Sequence, residues 1–165
     1  MKRIQVAVLM GSDSDYNVMQ KAEETLKEFG VDFETRVLSA HRTPKQTIQF
    51  IKAAEKAGSK VFIAGAGGAA HLPGVIASHT ILPVIGVPIL GKATNGLDSL
   101  LSIVQMPSGV PVATVAIDGA KNAALLSVQI LAISNSDLSK KLLVYKKRME
   151  RDVLNKNKQL QKVLK

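Results

Sequence analysis

Hydrophobic and polar positions alternate along this chain in blocks that repeat as strand, loop, helix. Ile4–Met10 is a short, unbroken apolar run ended by Gly11, the form of a strand buried on both faces. Asp15–Phe29 places Val18, Met19, Ala22, Leu26 and Phe29 at helical spacing and stops at Gly30. Asp32–Leu38 alternates as a second strand. Thr43–Ala57 is predicted helical, with Pro44 in its first turn and Gly58 just past its end. Val61–Ala64 is a third strand that runs into a glycine-rich stretch over 65–74. Further on, Val84–Val87 and Val112–Ile117 read as strands, and segments around 70–79, 97–104 and 120–134 as helices. Such βαβ alternation predicts an α/β fold with a mostly parallel sheet and helices on both faces.

The last segment behaves differently. In Ser136–Lys165 the residues Leu138, Leu142, Tyr145, Met149, Val153, Leu160 and Val163 fall near one helical face, with lysines around the rest. We therefore divide the chain into an α/β domain over residues 1–135 and a helical arm over 136–165. Most of the formal net charge of +9 sits in that arm, which carries 10 basic residues against 3 acidic ones. The remainder is nearly balanced, so a nucleic-acid reading would rest on the arm alone. An apolar stripe is not needed to hold phosphates, and packing on the arm's own domain or across another subunit explains it better. With no Trp and few other aromatics, stacking platforms for single-stranded nucleic acid are not expected either.

At 165 residues, 46% of them apolar, the chain is long enough to bury a full core. The absence of cysteine excludes disulfides, thiolate metal sites and cysteine nucleophiles, and fits a reducing compartment. Met1-Lys2-Arg3 ahead of an apolar run imitates a signal peptide, but Gly11 and Ser-Asp-Ser-Asp interrupt it, so a first strand is expected. Residues 61–91 carry no Asp, Glu, Lys or Arg, yet glycines and prolines punctuate them throughout, which predicts buried strands and tight loops rather than a spanning helix. A soluble, cytoplasmic protein without a membrane partner is the expectation.

Three polar loops each follow a predicted strand, and in an open parallel sheet ligands bind outside the carboxyl ends of the strands. The first loop, Gly11-Ser12-Asp13-Ser14-Asp15, opens a helix. Its backbone N–H groups, with the hydroxyls of Ser12 and Ser14, suit a phosphate or carboxylate. Asp15 would repel an anion and is better suited to sugar hydroxyls, although Ser14 or Asp15 acting simply as a helix cap is an equally good local reading. The second loop, Ser39-Ala40-His41-Arg42-Thr43-Pro44, sets an imidazole beside a guanidinium. An unperturbed imidazole titrates near 6.5, so His41 is a candidate to take and return a proton; Arg42 suits a bidentate grip on an anion.

The third loop begins Gly65-Ala66-Gly67-Gly68-Ala69-Ala70 and imitates a dinucleotide fingerprint. No Asp or Glu occurs between Glu55 and Asp98, so the acidic ribose partner is missing and a nicotinamide cofactor is disfavoured. The glycines are better read as admitting a ligand close to the backbone. There is no Walker lysine motif. His71 and His79 stand eight residues apart without a neighbouring carboxylate, which disfavours a metal centre; His71 is a candidate ligand contact and His79 a structural residue. These residues define a site for a phosphorylated small molecule with His41 as its acid–base group.

The three loops, together with Gly96-Leu-Asp-Ser-Leu-Leu-Ser-Ile-Val-Gln-Met-Pro107 and Asn122-Ala-Ala-Leu-Leu126, closely resemble the N5-carboxyaminoimidazole ribonucleotide mutase family, the bacterial-type (class I) enzymes of purine biosynthesis. The resemblance runs from Val6 to about residue 135. It implies a flavodoxin-like three-layer α/β/α sandwich with an extended C-terminal helix. It also implies a homo-octamer whose terminal helices reach across neighbours, and an isomerisation that needs neither cofactor nor metal. By the resemblance, Ser12, Asp15 and Arg42 bind the ribonucleotide, with Ser14 and Ser39 beside them, His41 shuttles the proton, and His71 lies in the glycine loop. The backbone of Gly67, Gly68, Ala69 and Ala70, running on to Leu72, is suited to hold CO2 or a carboxylate as an oxyanion hole does. Two competing readings are a direct aminoimidazole ribonucleotide carboxylase of the same family and a non-catalytic binder of a phosphorylated ligand.

Overall fold

The structure, a computed structural model, describes residues 4–164. Five strands form one sheet in the order β2-β1-β3-β4-β5, and every pairing in it is parallel. The strands are β1 (Val6–Met10), β2 (Phe33–Val37), β3 (Val61–Ala66), β4 (Val84–Pro88) and β5 (Ala113–Thr114). Helices α1 (Tyr16–Phe29), α2 (Pro44–Lys56), α3 (Leu72–Ala77) and α4 (Leu97–Val104) make the crossovers that parallel pairing requires. Helices α5 (Ala120–Ala132) and α6 (Ser136–Val163) follow. The expected first strand is present from Val6 onward; residues 1–3 lie outside the described residues.

The unbroken apolar runs explain which strands are central. Every residue of β1, β3 and β4 is buried, whereas β2 at the edge is half-buried or exposed. Alternate side chains serve the two faces. On one face Ala7 and Leu9 of β1 and Phe62 and Ala64 of β3 share a cluster with Ile51 and Ala54 of α2, Ile76 of α3 and Ile103 of α4. On the other, Gly65 of β3 lies under Met19 of α1, so close that a Cβ there would fall 2.5 Å from the Met19 sulfur. With helices covering both faces and strand order 2-1-3-4-5, the α/β domain is flavodoxin-like.

Two elements depart from expectation. Val112–Ile117 forms only the two-residue β5. Odd-numbered positions at the end of β4 bond to β3, as in Ile89 N–H donating to Ala66 O at 3.0 Å, so Pro88 turns its nitrogen toward β5 with no hydrogen to give. The ladder breaks there. Asp118, in the left-handed region at φ 55°, then returns an N–H to Pro88 O at 2.8 Å. The first loop also folds further than expected, closing Asp13–Asp15 into a 3-10 turn before α1 begins at Tyr16.

The chain divides into compact units at Val128/Gln129, within α5, ahead of the boundary at 135/136 drawn from the sequence. In the second unit α6 runs 28 residues, about 42 Å at 1.5 Å per residue. Asn135 caps it, its side-chain oxygen accepting from the N–H groups of Asp137 at 3.1 Å and Leu138 at 3.2 Å. Leu138 and Tyr145 on the apolar stripe are buried, while Met149, Val153, Leu160 and Val163 are exposed. Among the described residues no helix is long and apolar enough to cross a membrane.

Candidate active site

The three polar loops leave β1, β2 and β3 at the same sheet edge and enclose one cavity of about 410 Å³. It lies where the chain reverses direction across the sheet, between β1 and β3, which is where this topology places ligands. From the first loop Gly11, Ser12 and Asp15 line it; from the second, Ser39, Ala40, His41 and Arg42; from the third, Ala66, Gly67, Ala70, His71 and Leu72.

The first loop is held by its own hydroxyls. Ser12, in extended backbone, caps the 3-10 turn by accepting the Ser14 N–H at 3.3 Å, and its Oγ stands 2.9 Å from that of Ser14. Ser14 itself is exposed and lies outside the cavity wall, so its hydroxyl supports Ser12 and Asp15 from behind. Asp15 is half-buried against the cavity. Loss of solvent pushes its carboxyl above the ordinary carboxylate range, against the opposing pull of hydrogen bonds from the Ser14 hydroxyl and the Ser12 backbone and of the Arg42 cation.

Arg42 joins the first two loops. One Nη2 hydrogen goes to the carbonyl of Gly11 at 2.8 Å, and the backbone N–H of Arg42 donates to Ser39 Oγ at 3.2 Å. The guanidinium is exposed, and with Nη2 on Gly11 O and Nε 3.5 Å from Ser39 Oγ its Nη1 side is kept for an anion. The Ser39 hydroxyl borders the cavity while accepting from the Arg42 backbone, so it both shapes the loop and faces the ligand space.

The third loop turns on two residues of positive φ, Gly68 at 61° and Ala70 at 41°. The Ala70 N–H closes the turn on Gly67 O at 3.1 Å, which engages one of the amides expected to hold a carboxylate. Gly68 and Ala69 sit exposed at the tip, outside the cavity wall. The turn delivers His71 to the start of α3, and there His41 Nε2 meets His71 Nδ1 at 2.6 Å, the rings nearly perpendicular at 87°. At this separation one imidazole donates and the other accepts, the tautomers deciding which.

Gly11, Ala40 and Ala66 also line the cavity; they belong to the three loops read from the sequence but are not among its individual site residues, since small residues carry no chemical signature. Each ends or follows a strand at the edge where ligands bind, and that position is the signal that could have found them. His79 stands apart, with Nδ1 at 2.9 Å from both Val75 O and the Ser78 hydroxyl. The segments 96–107 and 122–126 build α4 and α5 rather than the cavity wall. Among the described residues no group of three or more His, Cys, Asp or Glu side chains is placed to hold a metal ion.

This is a doubly wound α/β protein, and the imidazole pair, the guanidinium and the half-buried carboxylate around one cavity at the β1/β3 edge are chemically suited to a small anionic ligand. Comparison with known proteins makes this specific: the chain belongs to the AIR carboxylase family, which it matches over residues 5–152. It is 61% identical over 158 residues to the N5-carboxyaminoimidazole ribonucleotide mutase of Pyrococcus horikoshii, covering 96% of this chain and 89% of that one. It is 63% identical over 150 residues to the protein of the same name from Saccharolobus solfataricus, covering 91% and 95%. Among solved structures, Treponema denticola PurE superposes with a TM-score of 0.85 at 29% identity, covering 93% of this chain and 96% of that one.

Proposed function

We propose that this protein is an isomerase of purine biosynthesis, converting N5-carboxyaminoimidazole ribonucleotide to 4-carboxy-5-aminoimidazole ribonucleotide, with His41 as its proton shuttle. The observation that carries the mechanism is the 2.6 Å contact between His41 Nε2 and His71 Nδ1 on the wall of the cavity. The mutase relatives, more than half identical over nearly the whole chain, carry the substrate.

Arg42 takes an anionic group of the ribonucleotide, Ser12 adds a hydroxyl beside it, and Asp15 accepts from sugar hydroxyls. His41 donates a proton to the exocyclic nitrogen of the carbamate. The C–N bond then breaks and CO2 departs, leaving aminoimidazole ribonucleotide. Its enamine carbon C4 attacks the retained CO2 to form the new C–C bond. The proton on C4 goes to the His41 imidazole, which is restored to its starting form. One imidazole thus serves as acid and then as base, and protons and electrons balance without a co-reactant. His71 stabilises whichever protonation state His41 holds, because the hydrogen bond between the rings can reverse its donor. Backbone amides of the glycine loop polarise CO2, with the Ala70 N–H held back by Gly67 O.

Direct carboxylation of aminoimidazole ribonucleotide is the second reading, and the family's own description as a carboxylase favours it. The two separate in one assay on metal-chelated protein. A mutase isomerises N5-carboxyaminoimidazole ribonucleotide without bicarbonate or ATP. A carboxylase leaves it unchanged and turns over aminoimidazole ribonucleotide only when bicarbonate is added.

Assembly as a homo-octamer in the cytoplasm completes the reading. Apolar side chains left open to solvent support association: Ile81 is 99% exposed, and Leu97, Leu101 and Val104 of α4 are about half exposed. Sedimentation should then give about eight times 17.6 kDa.

A further inference from the structure

Helix α2 begins without a side-chain cap. Thr43 stands at the N-cap position directly before Pro44, and a threonine there ordinarily turns its oxygen forward to accept an N–H of the helix's first turn. Ser12 and Asn135 do this for the elements they precede. Thr43 does not: it makes no side-chain bond to its own helix. Its Oγ1 points backward instead, accepting the Ser39 N–H at 2.8 Å and lying 3.1 Å from Ser39 O, to which it donates. The Thr43 backbone N–H reaches the same carbonyl at 2.9 Å.

Both polar groups of the Ser39 backbone are therefore gripped by one residue four positions on. The span between them is Ala40-His41-Arg42. Closing Ser39 onto Thr43 fixes the ends of that span and so sets the direction in which His41 leaves the backbone toward His71. Thr43 is in turn held from the helix side, where the buried Thr47 donates its hydroxyl to Thr43 O at 2.9 Å and also lies within 3.4 Å of Ser39 O, so it belongs to the same lock. The Arg42 guanidinium has an anchor outside this turn, the carbonyl of Gly11 at 2.8 Å.

We infer that Thr43 is a positioning residue for the proton shuttle: its hydroxyl gives up the helix cap in order to lock the turn that aims His41 at His71. The inference rests on the isomerase reading for its kinetic consequence, but its structural core can be read without turnover.

The test compares Thr43→Val, which removes the hydroxyl at nearly constant shape, with Thr43→Ser, which keeps it, and with Ala54→Gly, a buried position of α2 that makes no bond to this turn, as a control for loosening of the helix. The chain has three histidines, so ¹⁵N-histidine spectra report each ring separately. Thr43→Val should shift the ring signals of His41 and His71 and leave those of His79. It should lower kcat at least tenfold with KM within threefold, because Arg42 keeps its bond to Gly11 O. Thr43→Ser should restore kcat to within threefold. Ala54→Gly should lower the melting temperature while keeping kcat and the ring signals. In the wild type the Ser39 amide should exchange with solvent far more slowly than that of Ala40, a measurement that needs no variant to fold. Unchanged His41 and His71 signals in Thr43→Val, a Thr43→Ser variant as impaired as Thr43→Val, or a Ser39 amide as fast as its neighbour would each overturn the inference. Wild-type protein without isomerase activity would instead overturn the functional reading, and would leave the spectra and the exchange rate to judge Thr43.

Discussion

Replacing Gly86 with alanine tests the packing that brings the loops to one edge. Gly86 lies in β4, with Ala64 of β3 on one side and Thr114 of β5 on the other. A Cβ built there falls inside the radius of Ile103 Cγ2, 3.1 Å from Val112 Cγ1 and 3.4 Å from Pro73 Cβ. Ile103 is fully buried and β-branched, so it has no alternative rotamer into which to retreat, and α4 must move as a body. Overpacking of this kind costs roughly 1–3 kcal/mol. The smaller entropy of the unfolded alanine chain offsets about 0.4–1 kcal/mol of it. The net cost centres on about 1.3 kcal/mol, and at about 2–4 °C per kcal/mol for a chain of this size Gly86→Ala should melt about 3–5 °C below the wild type. Gly65→Ala is the matched comparison. Its Cβ would fall 2.5 Å from the Met19 sulfur, but methionine has three rotatable bonds and can swing aside. Thermal unfolding followed by circular dichroism at equal protein concentration should therefore rank Gly86→Ala as the less stable. A Gly86→Ala protein as stable as the wild type, or Gly65→Ala the worse of the two, would refute the reasoning.

Two further substitutions probe the site. Arg42→Lys keeps the charge but loses the fork that spans Gly11 O and the ligand. A charge-assisted hydrogen bond is worth about 1.5–3 kcal/mol, so KM measured by isomerase kinetics should rise roughly 10–150-fold, and a change under threefold would remove Arg42 from substrate binding. Asp15 has a folded pKa raised mainly by desolvation, so its contribution to stability is present below the unfolded carboxylate pKa and lost as pH rises through the folded one. Asp15→Asn should thus be more stable than the wild type at neutral pH, with the advantage shrinking toward pH 3, while its KM rises. Equal denaturation midpoints for the two proteins across that range would contradict the burial argument.

Much of this architecture was legible in the sequence, for physical reasons that differ by element. β1, β3 and β4 announced themselves because strands buried on both faces need unbroken apolar runs, and Gly11 and the 65–74 glycines marked where each chain segment leaves the sheet. The convergence of the loops followed from parallel topology alone, although His41 and His71 are thirty residues apart. β5 was overdrawn because its length is decided by Pro88 on the neighbouring strand, a cause that no local pattern in 112–117 records. Ser14 and Ser12 look alike in sequence, and only the 3-10 turn separates the hydroxyl on the cavity from the one behind it. Thr43 falls at the start of the helix predicted over 43–57, and no local pattern records the backward turn of its oxygen, which depends on where Ser39 lies in space. The stripe along 136–165 predicted a helix correctly, yet of its apolar positions only Leu138 and Tyr145 are buried.

The most direct test of the central claim is turnover of N5-carboxyaminoimidazole ribonucleotide by wild type and His41→Asn side by side, on metal-chelated protein without bicarbonate or ATP. The account predicts rapid formation of the C4-carboxylated isomer by the wild type. It predicts loss of at least a thousandfold in the variant with substrate binding retained, since asparagine can hydrogen-bond but cannot carry the proton, and general acid–base catalysis at two steps compounds a contribution of about 10²–10⁴ for each. Near-normal turnover by His41→Asn would contradict it.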